Sequence, residues 1–215
     1  MLVVLTFASC KNGTLFTPVS SGRPYEMLVV VDKDTWERPA GRALYNVLDT
    51  DVPGLPQSER SFRISYTDPS EFDRVLRIFR NIILVDIKDT YTQPKLKYSR
   101  DVYAQPQMIM RIQAPNEAEF EEFVTKNKQT IIDFFVKSEI NRQINALRDK
   151  HSDMVERKVD SIFGSKLWVP TELASYKVGK DFFWASTNAA TSDMNIVVYS
   201  YPYTDKNTFT REYFI

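Results

Sequence analysis

Tyr25-Glu26-Met27-Leu28-Val29-Val30-Val31 sits between Pro24 and Asp32 and carries five apolar residues in succession. A strand with one wet face alternates polar and apolar side chains, so an uninterrupted run is the signature of a strand buried on both faces. Such a strand needs cover on both sides, which points to a central position in a sheet. Everything downstream is read against that requirement.

The polar turn Asp32-Lys33-Asp34-Thr35 leads past Trp36 to Pro39, after which Leu44, Val47 and Leu48 recur at helical spacing. This predicts a helix over about 38–49 with Pro39 in its first turn. Val52-Pro53-Gly54-Leu55-Pro56-Gln57 is too rich in proline for helix or strand and predicts a shaped loop, either a rigid connector or a recognition loop. Phe62 to Tyr66 alternates and predicts a strand with one solvated face. Asp68-Pro69-Ser70-Glu71 reads as the start of a short helix carrying Phe72, Val75, Leu76 and Phe79. Asn81 to Ile87 and Met108 to Ile112 are further two-sided strands, separated by a tyrosine-rich excursion from Thr90 to Gln107.

Asn116 and Glu119 form a capping pair that opens a long helical pattern, with Phe120, Phe123, Val124, Ile131, Phe134, Phe135, Ile140, Ile144 and Leu147 inward. The pattern resumes through His151, Val155, Val159 and Ile162 and stops at Gly164. Its length predicts a bend or break near Arg148 to Asp153. Beyond Gly164 the period returns to two, with strand candidates at Leu167–Val169, Tyr176–Val178, Phe182–Ala185 and Ile196–Tyr201, and an amphipathic element closes the chain at Thr208–Ile215. Asn195-Ile196-Val197-Val198-Tyr199 echoes Asn81-Ile82-Ile83-Leu84-Val85.

The fold class is therefore α+β: mixed β-sheets packed by helices, with a long helix linking an N-terminal βαβαββ half to a mostly antiparallel C-terminal half. The expected organisation is a signal peptide at 1–9, a tether at 10–23, the N-terminal half at 24–150 and the β-rich half at 151–215.

The single cysteine, Cys10, closes an uncharged apolar run, Leu2 to Phe7, followed by the small pair Ala8-Ser9. An apolar core and small residues at the cut belong to a secretory signal, although no Lys or Arg precedes the core, so the signal is expected to begin upstream of Met1. Nine uncharged residues fall short of the about 20 that a membrane span needs. Lys11 to Pro24, with Gly13, Pro18, Gly22 and Pro24, has the composition of a tether. Extended at ~3.3–3.6 Å per residue, a dozen such residues reach about 40 Å. Lipidation at Cys10 would occupy the lone thiol of an exported chain.

In 215 residues, Lys plus Arg and Asp plus Glu number 28 each, so no net field favours nucleic acid. One histidine and one cysteine supply no metal ligand set, six glycines include no phosphate-cradling loop, and no Gly-x-Ser-x-Gly elbow occurs, so neither a catalytic residue, a metal nor a cofactor is assigned. His151 lies on an apolar stripe and reads as a packed side chain rather than a general base oriented by Asp149 or Asp153. Carboxylates near strand ends or in loops, Glu59, Asp86, Asp101 and Asp181, are those available for a glycosidase pair, which must meet at about 5–9.5 Å.

Eleven Tyr, fourteen Phe and three Trp make aromatics the compositional excess. Trp184 shares a strand face with Phe182, and alternation places Val197, Tyr199, Tyr201 and Tyr203 on one face, giving Trp184, Tyr199, Tyr201 and Tyr203 as ligand-contact candidates.

Gly22-Arg23-Pro24-Tyr25-Glu26, Val52-Pro53-Gly54-Leu55-Pro56-Gln57-Ser58-Glu59, Arg80-Asn81-Ile82-Ile83, Tyr103-Ala104-Gln105-Pro106-Gln107 and Tyr199-Ser200-Tyr201-Pro202-Tyr203 together resemble a family of bacterial lipoproteins classed as a domain of unknown function. The resemblance implies lipid attachment at Cys10 and a C-terminus that continues past Ile215, and it brings no reaction or ligand. The expected role is a cell-envelope lipoprotein on the periplasmic face of the outer membrane, joined to the membrane by its N-terminal lipid. It would act as a binding or scaffolding module toward an envelope glycan or protein, with a glycan hydrolase as the alternative.

Overall fold

A computed structural model describes residues 17–210 and Glu212. Cys10, the signal segment, the first part of the tether and half of the closing element therefore lie outside the described residues. The chain divides into two compact units, Met1–Ile140 and Asn141–Ile215. Its sheets are one mixed and one antiparallel, each packed by helices, as the α+β reading requires.

In the first unit the elements run β1 (Glu26–Val30), α1 (Lys33–Glu37), α2 (Pro39–Leu48), β2 (Arg63–Thr67), β3 (Asn81–Ile87), β4 (Lys95–Arg100), β5 (Met108–Ala114), α3 (Glu117–Lys126) and the start of α4 (Lys128–Asp149). The sheet order is β2-β1-β3-β5-β4, with β1 parallel to both β2 and β3, β3 parallel to β5, and β4 antiparallel to β5. Strand β1 is thus flanked on both sides, as its apolar run demands. Met27, Val29, Ile83, Met110 and Ile112 share one core with Leu44, Leu48, Phe120 and Phe135 of the helices. Leu28, Val30, Ile82 and Ile109 form a second core with Phe72, Leu76, Phe79 and Tyr103. Each such side chain taken fully out of water contributes about 1.5–3 kcal/mol. Gly41 is required where α2 follows α1, because a Cβ there would lie 2.3 Å from the Thr35 carbonyl oxygen.

Five local expectations change along this stretch. Lys33–Glu37, read as a turn, is the helix α1. The helix expected after Asp68 is instead two 3₁₀ turns, Pro69–Glu71 and Leu76–Ile78, because the Asp73 carboxylate accepts the N–H groups of both Val75 and Leu76 and replaces the helical ladder there. The excursion from Thr90 to Gln107 contains the edge strand β4, which lacks an apolar face because only Leu96 in it is not exposed. Asn127 separates α3 from α4, a second interruption besides the expected one at 150–152, and its side chain caps the Phe123 carbonyl. Along α4, Ile131, Ile132 and Phe135 are buried, whereas Ile140 and Ile144, expected inward, are surface residues.

The second unit continues from α4 through α5 (Asp153–Phe163) to β6 (Ser175–Gly179), β7 (Phe182–Ser186) and β8 (Asn195–Tyr199). The strands form an antiparallel sheet in that order. Ser152 caps α5 through Val155 N–H, and Gly164 ends it with φ 64°, the left-handed conformation its sequence position implies. Phe183 and Ala185 are buried with Val155, Val159, Val169 and Leu173. Leu167–Val169, expected as a strand, is extended chain without a ladder partner: Val169 C=O accepts Ser152 N–H and its side chain enters the core.

Candidate functional site

Strand β7 buries Phe183 and Ala185 on one side of the antiparallel sheet and leaves the other side open, and the register decides which aromatics share the latter. Lys180-Asp181 is a two-residue hairpin turn in which Asp181 has φ 55°, so Gly179 faces Phe182 and Lys177 faces Trp184. On the other side Phe182 faces Tyr199 and Trp184 faces Val197. Because alternate residues point the same way, Phe182, Trp184, Val197 and Tyr199 form one contiguous face opposite to the buried Phe183 and Ala185. Val197 is 52% exposed and Tyr199 54%, far more than an apolar core position. The Lys177 ammonium stands 5.9 Å from the Trp184 ring, and the Trp184 indole N–H donates to Asn195 Oδ1 at 3.0 Å.

Of the four aromatics singled out in the sequence, the register joins Trp184 and Tyr199. The Tyr201 ring lies 5.9 Å from that of Tyr199 and extends the row, whereas Tyr203 stacks on Phe209 at 5.5 Å, beyond the end of β8. Lys177 is the member that sequence reasoning missed; the two-residue turn at Lys180-Asp181 was the signal that could have found it, since it sets the pairing.

The sheet of the first unit separates the carboxylates proposed as a hydrolytic pair. Asp86 faces Gln113 on β5, while Asp101 follows Arg100, which faces Met108 on the same strand. Five residues of strand, about 16 Å, lie between these levels. Glu59 precedes β2 and Asp101 follows β4, the two opposite edges of the sheet, about 19 Å apart at about 4.8 Å per strand step. Asp181 is the hairpin residue of the other unit.

Asp86 does share a crevice of about 390 Å³ with Asp32, at the carboxyl ends of β1 and β3. Here β1 connects onward to one side of the sheet and β3 takes its other edge, the switch point where open α/β sheets place ligands. Sequence reading passed over Asp32 as a turn residue. Burial pushes the Asp86 carboxyl up, but bonds from Tyr91 Oη at 2.7 Å, Lys88 Nζ at 3.0 Å and Gln113 outweigh it and hold the group at about 2. Arg111 adds a contact at 3.2 Å. A carboxylate so held carries no proton to donate near neutral pH and has its lone pairs occupied.

His151 is stacked on Trp168 with ring centroids 5.3 Å apart. Its Nδ1 lies 2.8 Å from the Leu147 carbonyl oxygen and its Nε2 lies 3.0 Å from Glu156 Oε2. Both partners accept, so the ring satisfies both when doubly protonated. The Glu156 carboxylate raises the His151 pKa against desolvation, and the Leu147 carbonyl adds to the rise. His151 thus ties the end of α4 to the first turn of α5. The expected carboxylate neighbours were Asp149 and Asp153; Asp153 is 3.9 Å away and the closer partner is Glu156. His151, Asp153 and Glu156 offer three ligand-type atoms within 4.8 Å of one another, but metal binding would require His151 to give up a proton its contacts favour. Among the described residues no helix is long and apolar enough to cross a membrane.

The fold and these surfaces define an α+β protein of two units, one with a mixed sheet covered on both faces and one with a sheet open on a face lined by aromatics. The chain belongs to the family described as domain of unknown function DUF8532, whose model matches residues 20–148, more than half of its length. A second family model, domain of unknown function DUF4837, matches residues 152–215. Neither a curated protein nor a solved structure matches.

Proposed function

We propose that this chain is a cell-envelope lipoprotein, held through lipidated Cys10 on the periplasmic face of the outer membrane, that binds an envelope glycan without converting it. The observation that carries the binding role is the open face of β6-β7-β8, where Phe182, Trp184, Val197 and Tyr199 are level across two strands, with Lys177 over Trp184. Flat aromatic faces receive the C–H face of a sugar ring, while ammonium, indole and phenol groups meet its hydroxyls. A fully apolar face would favour burial against another protein; this one mixes rings with Lys177, Ser175 and Asn195. The hydrolase alternative is disfavoured by the separation of Glu59, Asp101 and Asp86 and by the occupied, ionised state of Asp86.

The test is co-sedimentation of the full chain with purified peptidoglycan, alongside a reducing-sugar assay. We expect retention in the pellet, a loss of at least tenfold in affinity for the Trp184→Ala/Tyr199→Ala variant, and no release of reducing ends. Unchanged retention of that variant would remove the aromatic face from recognition, and release of reducing ends would restore the enzyme. For the anchor, radiolabelled palmitate should enter the protein in cells and the Cys10→Ala variant should lose both label and membrane association. A labelled, membrane-bound Ala variant would refute the anchor.

A further inference from the structure

We propose that a cavity of about 520 Å³ at the amino ends of β1 and β2 binds an amphipathic anion, a carboxylate or phosphate head bearing an apolar tail, with Arg23 and Arg63 on the head. This site is independent of the aromatic face and shares no residue with it. Its wall carries Arg23, Arg60 and Arg63 together with Tyr25, Val52 and Val136, and no Asp or Glu. Asp49 and Asp51 offset the Arg60 guanidinium, which leaves those of Arg23 and Arg63 as the cationic groups that the wall offers a ligand. Cavities of this size that mix apolar lining with a few convergent polar groups are the usual form of a small-molecule site.

The three arginines do different things. Arg60 is paired with Asp49 at 3.1 Å and Asp51 at 3.0 Å, and so belongs to the scaffold. Asp51 and Arg60 also form an antiparallel bridge, Val52 N–H donates to Glu59 C=O at 2.8 Å, and Ser58 Oγ donates to Asp51 at 2.9 Å. These bonds close the base of the proline-rich loop and place Val52 on the cavity wall, which gives the loop the recognition role that the sequence left open. Arg23 and Arg63 are exposed, and among the described residues neither guanidinium meets a carboxylate. Planar guanidinium groups match the oxygen pairs of carboxylate and phosphate, so two of them beside an apolar floor select a charged head with a tail.

The backbone supports the same reading. Glu26 N–H donates to Arg23 C=O at 3.1 Å, closing a turn with Pro24 second and Tyr25 third, and Tyr25 has φ 62°. The third position of a type II turn needs positive φ and is normally glycine; a bulky side chain rarely occupies it. Tyr25 is kept there with its ring against Phe62 at 6.4 Å and on the cavity wall. Strained residues of this kind gather at ligand sites.

The test is isothermal titration of the full chain with octyl phosphate and with octanoate below their micellar concentrations, and with inorganic phosphate. We expect saturable one-to-one binding of at least one amphiphile, binding of inorganic phosphate at least tenfold weaker, and a loss of tenfold or more in the Arg23→Ala/Arg63→Ala variant. Both arginines are exposed, so the variant should melt with the parent, and Arg63→Lys should retain part of the affinity. Failure of both amphiphiles to bind would overturn the proposal. Undiminished binding by the double variant, or equal affinity for inorganic phosphate, would overturn it as well.

Discussion

Two pentapeptides that both open on Asn-Ile and continue as strand have opposite fates in this molecule. Asn81-Ile82-Ile83-Leu84-Val85 lies in β3, between β1 and β5, with Ile82 and Ile83 inaccessible to solvent. Asn195-Ile196-Val197-Val198-Tyr199 is β8, at the end of the three-stranded sheet, with Val197 and Tyr199 about half exposed. Even the opening asparagines differ: Asn81 Nδ2 donates to buried Glu139 at 2.7 Å and to Glu26 C=O at 2.9 Å, while Asn195 accepts from Trp184 on an open face. A parallel strand in the middle of a sheet needs cover on both sides; an antiparallel edge strand can leave one side in water. The echo is therefore one of strand composition, and the two sheets share no topology.

The comparison breaks most readily at the central apolar pair. Ile83→Ala should cost about 2–5 kcal/mol, as expected for a fully packed side chain, while Val197→Ala should stay within about 0.5 kcal/mol. Urea unfolding followed by circular dichroism measures both, and equal losses would show that β8 is buried in solution.

The asparagines come next. Asn81→Ala should cost about 1–3 kcal/mol because it removes a donor to a buried carboxylate, whereas Asn195→Ala should change stability by about 0.5 kcal/mol or less. A reversal of that order would place Glu139 in water.

pH separates the units differently. Desolvation raises the Asp86 pKa but is outweighed by hydrogen bonds and the nearby Lys88 charge, and in the second unit the Ser186 and Thr187 hydroxyls lower that of Asp193 against desolvation; both carboxyls end at about 2 instead of 3.8. Their contributions are complete above about pH 4 and disappear as pH falls through about 2, so acid weakens both units. His151 runs the other way. Its folded pKa lies above 6.5, so its contribution is complete below that value and is lost as pH rises through the folded pKa. The thermal midpoint should fall from pH 6 to pH 9, and His151→Gln should flatten that fall; an unchanged slope would exclude His151 as its source.

The smallest effect is expected at Lys177→Met, which removes the cation over Trp184 and should cost about 0.5 kcal/mol with a change in tryptophan emission. No change in emission would mean that Lys177 does not hold this position in solution.

Much of the local architecture was legible. The capping pair at Asn116 and Glu119, the stop at Gly164 and the interruption near 150 rest on interactions within a few residues, and each is present, as is the strand that the apolar run at Met27–Val31 calls for. The misreadings have a common cause. β4 lacks an apolar side because it closes an edge, Leu167–Val169 resembles a strand but has no partner, and Asp73 diverts N–H groups that a helix would have used. In each case the spacing of apolar residues does not register the deciding bond: for the two strand segments it is a distant partner or its absence, and for Asp73 a side-chain bond to the N–H groups of Val75 and Leu76. Trp184 and Tyr199 were named as candidates, but their shared face with Phe182 and Val197 required the register between strands.

By itself the sequence determined which segments had to be covered on both sides, that the second half would be mostly antiparallel, and that helices would start at Pro39 and Asn116 and stop at Gly164. These follow from side-chain period and from caps, which are local. The order β2-β1-β3-β5-β4 was decided only in the folded chain, as was the meeting of Arg23, Arg63 and Val136 around one cavity. Strand backbones satisfy their N–H and C=O groups with distant partners, and the choice among partners depends on the whole core they enclose.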